Sequence, residues 1–177
     1  MKKFDLGQWL AIIANFGVII GIAFLAYEMR QNTIAISGTT VQAISDQSLQ
    51  GVLIGLEVPE LQLAWQRGGL GVDYMTPEDR SVLSWWYSGL MRITENRFRQ
   101  ADLGTVNANI VGQLGGASAA YKHPYFREFW LVSRQDHAED FANWVDENLV
   151  PLVEESFVRT PMDNLLPEVQ DAARQLR

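Results

Sequence analysis

The sequence predicts an all-α protein in which a single N-terminal transmembrane helix continues into a small helical-bundle domain. Two observations predict this fold class. An uncharged apolar run lies near the N-terminus, and the downstream segments repeat their apolar residues at helical spacing without sustained β alternation or hairpin turn signals. The predicted parts are an anchor at residues 1–30, a helical domain at residues 31–150, and a proline-containing tail at residues 151–177 with a short amphipathic helix.

The composition argues against several classes of protein. The 177 residues are 47% apolar and 20% charged, which is typical of a globular protein and not of a disordered or polytopic one. A net charge of −7 with no basic stripe argues against a nucleic-acid partner, which requires clustered Lys and Arg. Cysteine is absent, and His123 and His137 have no metal-binding spacing. No cofactor is predicted, although metal binding by carboxylates alone stays open.

The predicted anchor is the uncharged run at residues 9–27. At about 1.5 Å per residue this run is about 28 Å long as a helix, close to the roughly 30 Å thickness of a bilayer's hydrocarbon core. Trp9 and Tyr27 lie at its two ends, where aromatic rings favour the headgroup level. The run therefore predicts a retained membrane span, with the lipid bilayer as its first partner.

Two alternatives for this run stay open. Lys2 and Lys3 followed by Gly21-Ile22-Ala23 could form a cleaved signal peptide with a small-residue cleavage site. A buried core helix is the other alternative, but such a helix usually carries a polar stripe, and the first charge after the run is Glu28.

Basic residues predict the orientation of the span. Lys2 and Lys3 precede it, whereas only Arg30 follows closely. The positive-inside rule then places the N-terminus in the cytoplasm and the domain in the periplasm of a bacterial inner membrane.

One face of the predicted span carries small residues. Ala14, Gly17 and Gly21 recur at helical spacing, which lets a second helix approach closely, and the Asn15 amide beside them is costly in lipid unless it is hydrogen-bonded. These four residues predict a helix–helix interface with other transmembrane subunits or with a second copy. The alternative is that glycine is simply common in spans.

Two helices are predicted after the span. The polar but almost uncharged stretch after Arg30 continues the first helix, with a bend near Gly38. A second helix begins near Pro59 and ends at Gly68 and Gly69.

The third helix has the clearest local signals. Thr76 is predicted as its N-cap with Pro77 in the first turn, and Gly104 ends it. Apolar residues on most of its sides, including the Trp85-Trp86-Tyr87 cluster, predict a central place in the core, with a ligand platform as the alternative. Its polar edge is a candidate docking surface or a solvated row of ion pairs. That edge consists of Arg92, Glu95, Asn96 and Arg99.

The remaining segments predict shorter helices. The stretch "TVNANIVGQLGGASAAYKHP" forms a small-residue helix, or one broken at Gly115-Gly116, and it lacks the features of a phosphate-binding loop. "PYFREFWLVSR" follows, and then a helix for which Asp136 and Glu139 form a capping-box-like start.

His137 is the one candidate for acid–base chemistry. Asp136, Glu139 and Asp140 are its sequence neighbours, and Ser133 or a water nearby would complete a site. The simpler interpretation is a helix cap followed by a solvated turn.

Several stretches resemble a widespread group of uncharacterised bacterial proteins with one N-terminal span and a helical domain. They are "LAYEMRQNT", "PELQLAWQRG", "TPEDR", "ENRFRQ" and "PYFREFW" with "FANWVDE". The likeness covers roughly residues 8–150. It implies an architecture and no activity.

With no strong catalytic motif, the sequence favours a non-enzymatic accessory or scaffold subunit of a larger inner-membrane assembly. One alternative is a membrane-tethered hydrolase that uses His137 and nearby carboxylates. The other is a homo-oligomeric ligand sensor.

Overall fold

The computed structural model describes residues 6–114, 118–153, 157 and 160–175, and most of these residues are helical. No strand occurs in these residues, so the predicted all-α class is confirmed. The chain divides into two compact units, Met1–Gln42 and Ala43–Arg177. The helices are α1 (Leu6–Glu57), α2 (Pro59–Leu70), α3 (Pro77–Asp102), α4 (Ser118–Lys122), α5 (Tyr125–Ser133), α6 (Glu139–Asn148) and α7 (Pro167–Gln175).

α1 is long and apolar enough to cross a membrane. Its most apolar stretch of 18 residues has a mean hydropathy of 2.3, and none of that stretch is buried. The predicted long N-terminal apolar helix is therefore confirmed. The helix also runs without a break past Gly38.

α2 begins at Pro59, as predicted, but its predicted end was wrong. Gly68 and Gly69 lie inside the helix and are buried, and the helix ends before Gly71, which has a φ of +148°. A Cβ on Gly68 would lie 2.6 Å from His123 Cε1. Because Gly68 has no side chain, His123 can approach α2 closely at this position. The glycine does not end the helix.

α3 begins with the predicted cap. The Thr76 hydroxyl accepts a hydrogen bond from the Asp79 backbone N–H at 3.2 Å, and the Asp79 carboxylate accepts one from the Thr76 N–H at 2.8 Å. This reciprocal pair satisfies two N–H groups at the helix start. Asp79 also pairs with Arg67 of α2 at 3.0 Å. The cap thus also joins two helices.

α3 is buried on one face only, which corrects the prediction that it is central on most sides. Leu83, Tyr87 and Met91 are fully buried, whereas Trp85 is 80% exposed. Residues 83, 87 and 91 recur every fourth position and share a face, and residue 85 lies on the opposite side. The tryptophan-tyrosine cluster is therefore divided between core and surface.

Aromatic rings from α3, α5 and α6 fill the core. Tyr87 packs on Phe126 and Phe129 with ring centroids 5.5 and 5.2 Å apart, and Phe141 packs on Trp144 at 6.0 Å. Such pairs add to the apolar burial because of their favourable ring geometry.

α6 begins differently from the prediction. Asp136 belongs to a preceding 3-10 turn, Arg134–Asp136, and Ala138 precedes the first helical residue without a side-chain cap. The capping-box interpretation of Asp136 and Glu139 was therefore wrong.

The last described segment packs against α2. Leu165 and Val169 are buried, and the backbone N–H of Leu166 donates to the Gln66 side chain at 2.7 Å. The predicted break at Gly115-Gly116 lies outside the described residues.

Candidate functional site

The predicted interface on the span is exposed in the isolated chain. Ala14, Asn15, Gly17 and Gly21 are all accessible, and no atom outside the local helix backbone lies within 4 Å of a Cβ built on either glycine. This face therefore has space for a close helix partner.

The polar edge of α3 forms a network of ion pairs. Glu95 lies 3.9 Å from Arg92 and 3.7 Å from Arg99, and Arg99 also pairs with Asp140 of α6. Asn96 is exposed beside this network. Solvent screens the exposed members of this network, so these pairs add little to stability.

His137 belongs to the same network. Its Nδ1–H donates to the Glu95 carboxylate at 3.1 Å, and its ring packs at 5.4 Å from both Trp130 and Phe141. The side chain is only 6% exposed. His137 therefore joins the start of α6 to α3 as a packed and hydrogen-bonded residue.

The residues predicted to surround a His137 catalytic site either bond to other residues or are exposed. Asp140 is bonded to Arg99, and Asp136 and Glu139 are exposed. The buried Ser133 hydroxyl has no hydrogen-bond partner within the described residues. A serine–histidine pair is therefore not formed there. The described residues also contain no group of three or more His, Cys, Asp or Glu that could hold a metal ion.

His123, which sequence reasoning left without a role, is fully buried. Its Nε2–H donates to the Trp65 carbonyl at 3.0 Å, and Nδ1 accepts from the Tyr125 backbone N–H at 3.2 Å. Burial lowers the pKa of His123 to about 4 against the opposing effect of the Trp65 carbonyl. Both ring nitrogens are occupied, so this neutral histidine is structural.

A cavity of about 460 Å³ lies between the end of α1, α2, α3 and α4. Its size is within the range of small-molecule sites, which are about 300–1,000 Å³. The Trp86 indole N–H donates to the Gly51 carbonyl at 3.2 Å and holds α1 beside α3 there. The apolar lining includes Leu61, Trp65, Trp86, Leu90, Ile93 and Leu114.

Polar side chains from α1, α2, α3 and α4 line this cavity, with Gln62 and Gln66 contributed by α2. Arg97 Nη2 donates to the Ser48 hydroxyl at 3.0 Å. Thr94 donates to the Leu90 carbonyl at 3.0 Å, so the Tyr121 hydroxyl donates to Thr94. Burial raises the pKa of Tyr121 to about 12, which keeps its hydroxyl neutral. Arg97 is therefore the charged side chain among the residues that line the cavity.

No match is found among protein-family models, curated proteins or solved structures. The resemblance to uncharacterised bacterial proteins therefore stays a prediction.

Sequence reasoning missed this cavity. Leu90, Ile93 and Arg97 recur at helical spacing, so an arginine on an apolar face was a visible signal. The residues opposite it come from α1, α2 and α4, and their proximity depends on the fold.

Proposed function

We propose that this protein is a single-pass protein of the bacterial inner membrane. In this proposal it carries a small helical-bundle domain and acts as an accessory or scaffold subunit of a larger assembly. The observation that carries the proposal is the apolar stretch of α1, of which none is buried. The second unit, in contrast, buries an aromatic core of its own. A helix with that much exposed apolar surface is stable in a bilayer and costly in water.

The proposed contact is with another transmembrane helix. Ala14, Gly17 and Gly21 provide a face without bulky side chains, and Asn15 beside it supplies an amide that lipid leaves unpaired. A hydrogen bond across such a contact contributes about 0.6–2 kcal/mol.

The hydrolase alternative has less support. His137 is almost completely packed, and the carboxylate it meets is Glu95, which also interacts with two arginines. Such a pairing serves to connect α3 with the start of α6.

The experiment compares three leucine variants of the full chain in native membranes. Gly17→Leu and Gly21→Leu fill the proposed contact, whereas Ala23→Leu adds similar bulk on the opposite face of the helix. We expect the two glycine variants to lose the assembly seen on native gels while staying in the membrane. Ala23→Leu is expected to keep the same assembly.

Retention of the wild-type assembly by both glycine variants would refute this contact. Loss of the assembly in all three variants would also refute it, because the small-residue face would then have no special role. Recovery of the wild-type chain in the soluble fraction would refute the anchor itself.

A further inference from the structure

Arg97 differs from the other arginines of α3. Each of the other three pairs with a carboxylate: Arg80 with Glu128, Arg92 with Glu95, and Arg99 with both Glu95 and Asp140. Arg97 has no carboxylate partner within the described residues, and its hydrogen bond there is to the Ser48 hydroxyl.

The position of Arg97 makes this unusual. The residue is partly buried and lines the cavity together with the indole rings of Trp65 and Trp86. Burial lowers the pKa of its guanidinium, with an opposing effect of Tyr121, but an arginine stays protonated in proteins. A partly desolvated cation is costly unless an anion accompanies it. None of the described residues supplies that anion, so an anionic ligand would stabilise Arg97.

The rest of the cavity defines the body of such a ligand. Leu61, Leu90 and Ile93 offer apolar contacts, and Gly51 and Gly55 leave space along the wall that α1 contributes. The cavity therefore combines one cation with a largely apolar interior.

We propose that this cavity binds a small organic monocarboxylate with an apolar body, whose carboxylate pairs with Arg97. The guanidinium has five N–H donors, and the Ser48 bond uses one of them. A carboxylate can accept two parallel bonds from the others. The apolar part of the ligand then lies against Trp65 and Trp86, whose rings pack edge to face with centroids 5.7 Å apart. This site is separate from the contact proposed for the span, and neither depends on the other.

The test uses the full chain in lipid nanodiscs and 1-naphthaleneacetate as the probe. The neutral control ligand is 2-(1-naphthyl)ethanol, which has the same apolar body, and empty nanodiscs correct for partition into lipid. Calorimetry should show that the wild type binds the carboxylate about tenfold to a hundredfold more tightly than the alcohol.

Four variants separate the role of the positive charge from that of the open space in the cavity. Arg97→Gln should remove the preference for the carboxylate, and Arg97→Lys should restore part of it because the positive charge returns. Gly55→Leu places a side chain into open space that lines the cavity and should weaken both ligands at least tenfold. Gly89→Leu is its matched control, since Gly89 also has open space but does not line this cavity.

Each result decides for or against the proposal. Equal affinity of the wild type for the two ligands, or no binding of the carboxylate, would overturn it. An Arg97→Gln variant that unfolds at the wild-type temperature and keeps the preference would overturn the role of Arg97. Unchanged binding by Gly55→Leu, or equal weakening by Gly89→Leu, would overturn the location.

Discussion

His137 and Glu95 are joined by a hydrogen bond of 3.1 Å, although 42 residues separate them in the sequence. The bond connects the segment before α6 to the polar edge of α3. Trp130 and Phe141 pack on the imidazole ring, so the contact is both polar and apolar.

We predict that His137→Ala lowers the free energy of unfolding by about 1–3 kcal/mol, because it removes a packed ring and a hydrogen bond to a carboxylate. Urea unfolding of the purified chain measures this change. Any cellular phenotype should persist once expression is matched. Loss of the phenotype at unchanged stability would instead favour the hydrolase.

We predict that replacing two helical glycines, Gly68 and Gly89, by alanine changes the stability of the fold in opposite directions. Gly68→Ala should destabilise the fold by about 1–3 kcal/mol, because its Cβ would lie 2.6 Å from His123 Cε1 in a packed region. Gly89→Ala meets open space on exposed α3 and should stabilise it by about 0.5–1 kcal/mol. Thermal unfolding of both variants tests this, and similar shifts of the same sign would contradict it.

We predict that His123 makes the fold less stable as the pH falls from about 6.5 to about 4. Its pKa is about 4 in the folded state and 6.5 ordinarily, so the unfolded chain binds the proton first as the pH falls. Above about pH 6.5 the ring is neutral in both states, and the full stability is present. By about pH 4 the free energy of unfolding has fallen by at most about 3 kcal/mol.

NMR of the His123 ring measures the midpoint directly, and the His137→Ala variant assigns the two histidine signals. A midpoint near 4 is the expected result. A midpoint near 6.5 would show that the ring is not held neutral by burial.

We predict that the N-terminus lies in the cytoplasm and the domain in the periplasm, because Lys2 and Lys3 precede the apolar run and only Arg30 closely follows it. Alkaline phosphatase fused after Arg177 should be active, and a fluorescent protein at the same place should be dark. Substituting Lys2 and Lys3 by Gln tests the cause, since it should weaken the bias. The reverse pattern for the two fusions would place the domain in the cytoplasm.

Local signals in the sequence predicted the start of α3, although the similar signal at Asp136 and Glu139 failed for α6. Thr76 as the N-cap and Pro77 in the first turn of α3 are as predicted. The structure adds a reciprocal bond, in which the Thr76 backbone N–H donates to the Asp79 carboxylate. The all-α class was predicted from local signals as well, because helical periodicity is a property of neighbouring residues.

Features that depend on distant residues were missed. Gly68 resembles a helix terminator until His123 is placed against it, and Glu95 resembles a solvated residue until His137 reaches it. The environment of Arg97 likewise requires Ser48 from α1 and Tyr121 from α4. Spacing along one helix identifies a shared face but gives no information about which helix covers it.

The bond from the Trp86 indole to the Gly51 carbonyl tolerates substitution differently at its two ends. Its acceptor is a main-chain carbonyl, so the bond does not depend on the side chain at position 51 itself. A Cβ there would lie 4.0 Å from Ile93 Cδ1, an ordinary contact, so alanine is tolerated as well. An alanine at position 51 therefore leaves this bond in place, whereas any replacement of Trp86 by a residue without an indole N–H removes it.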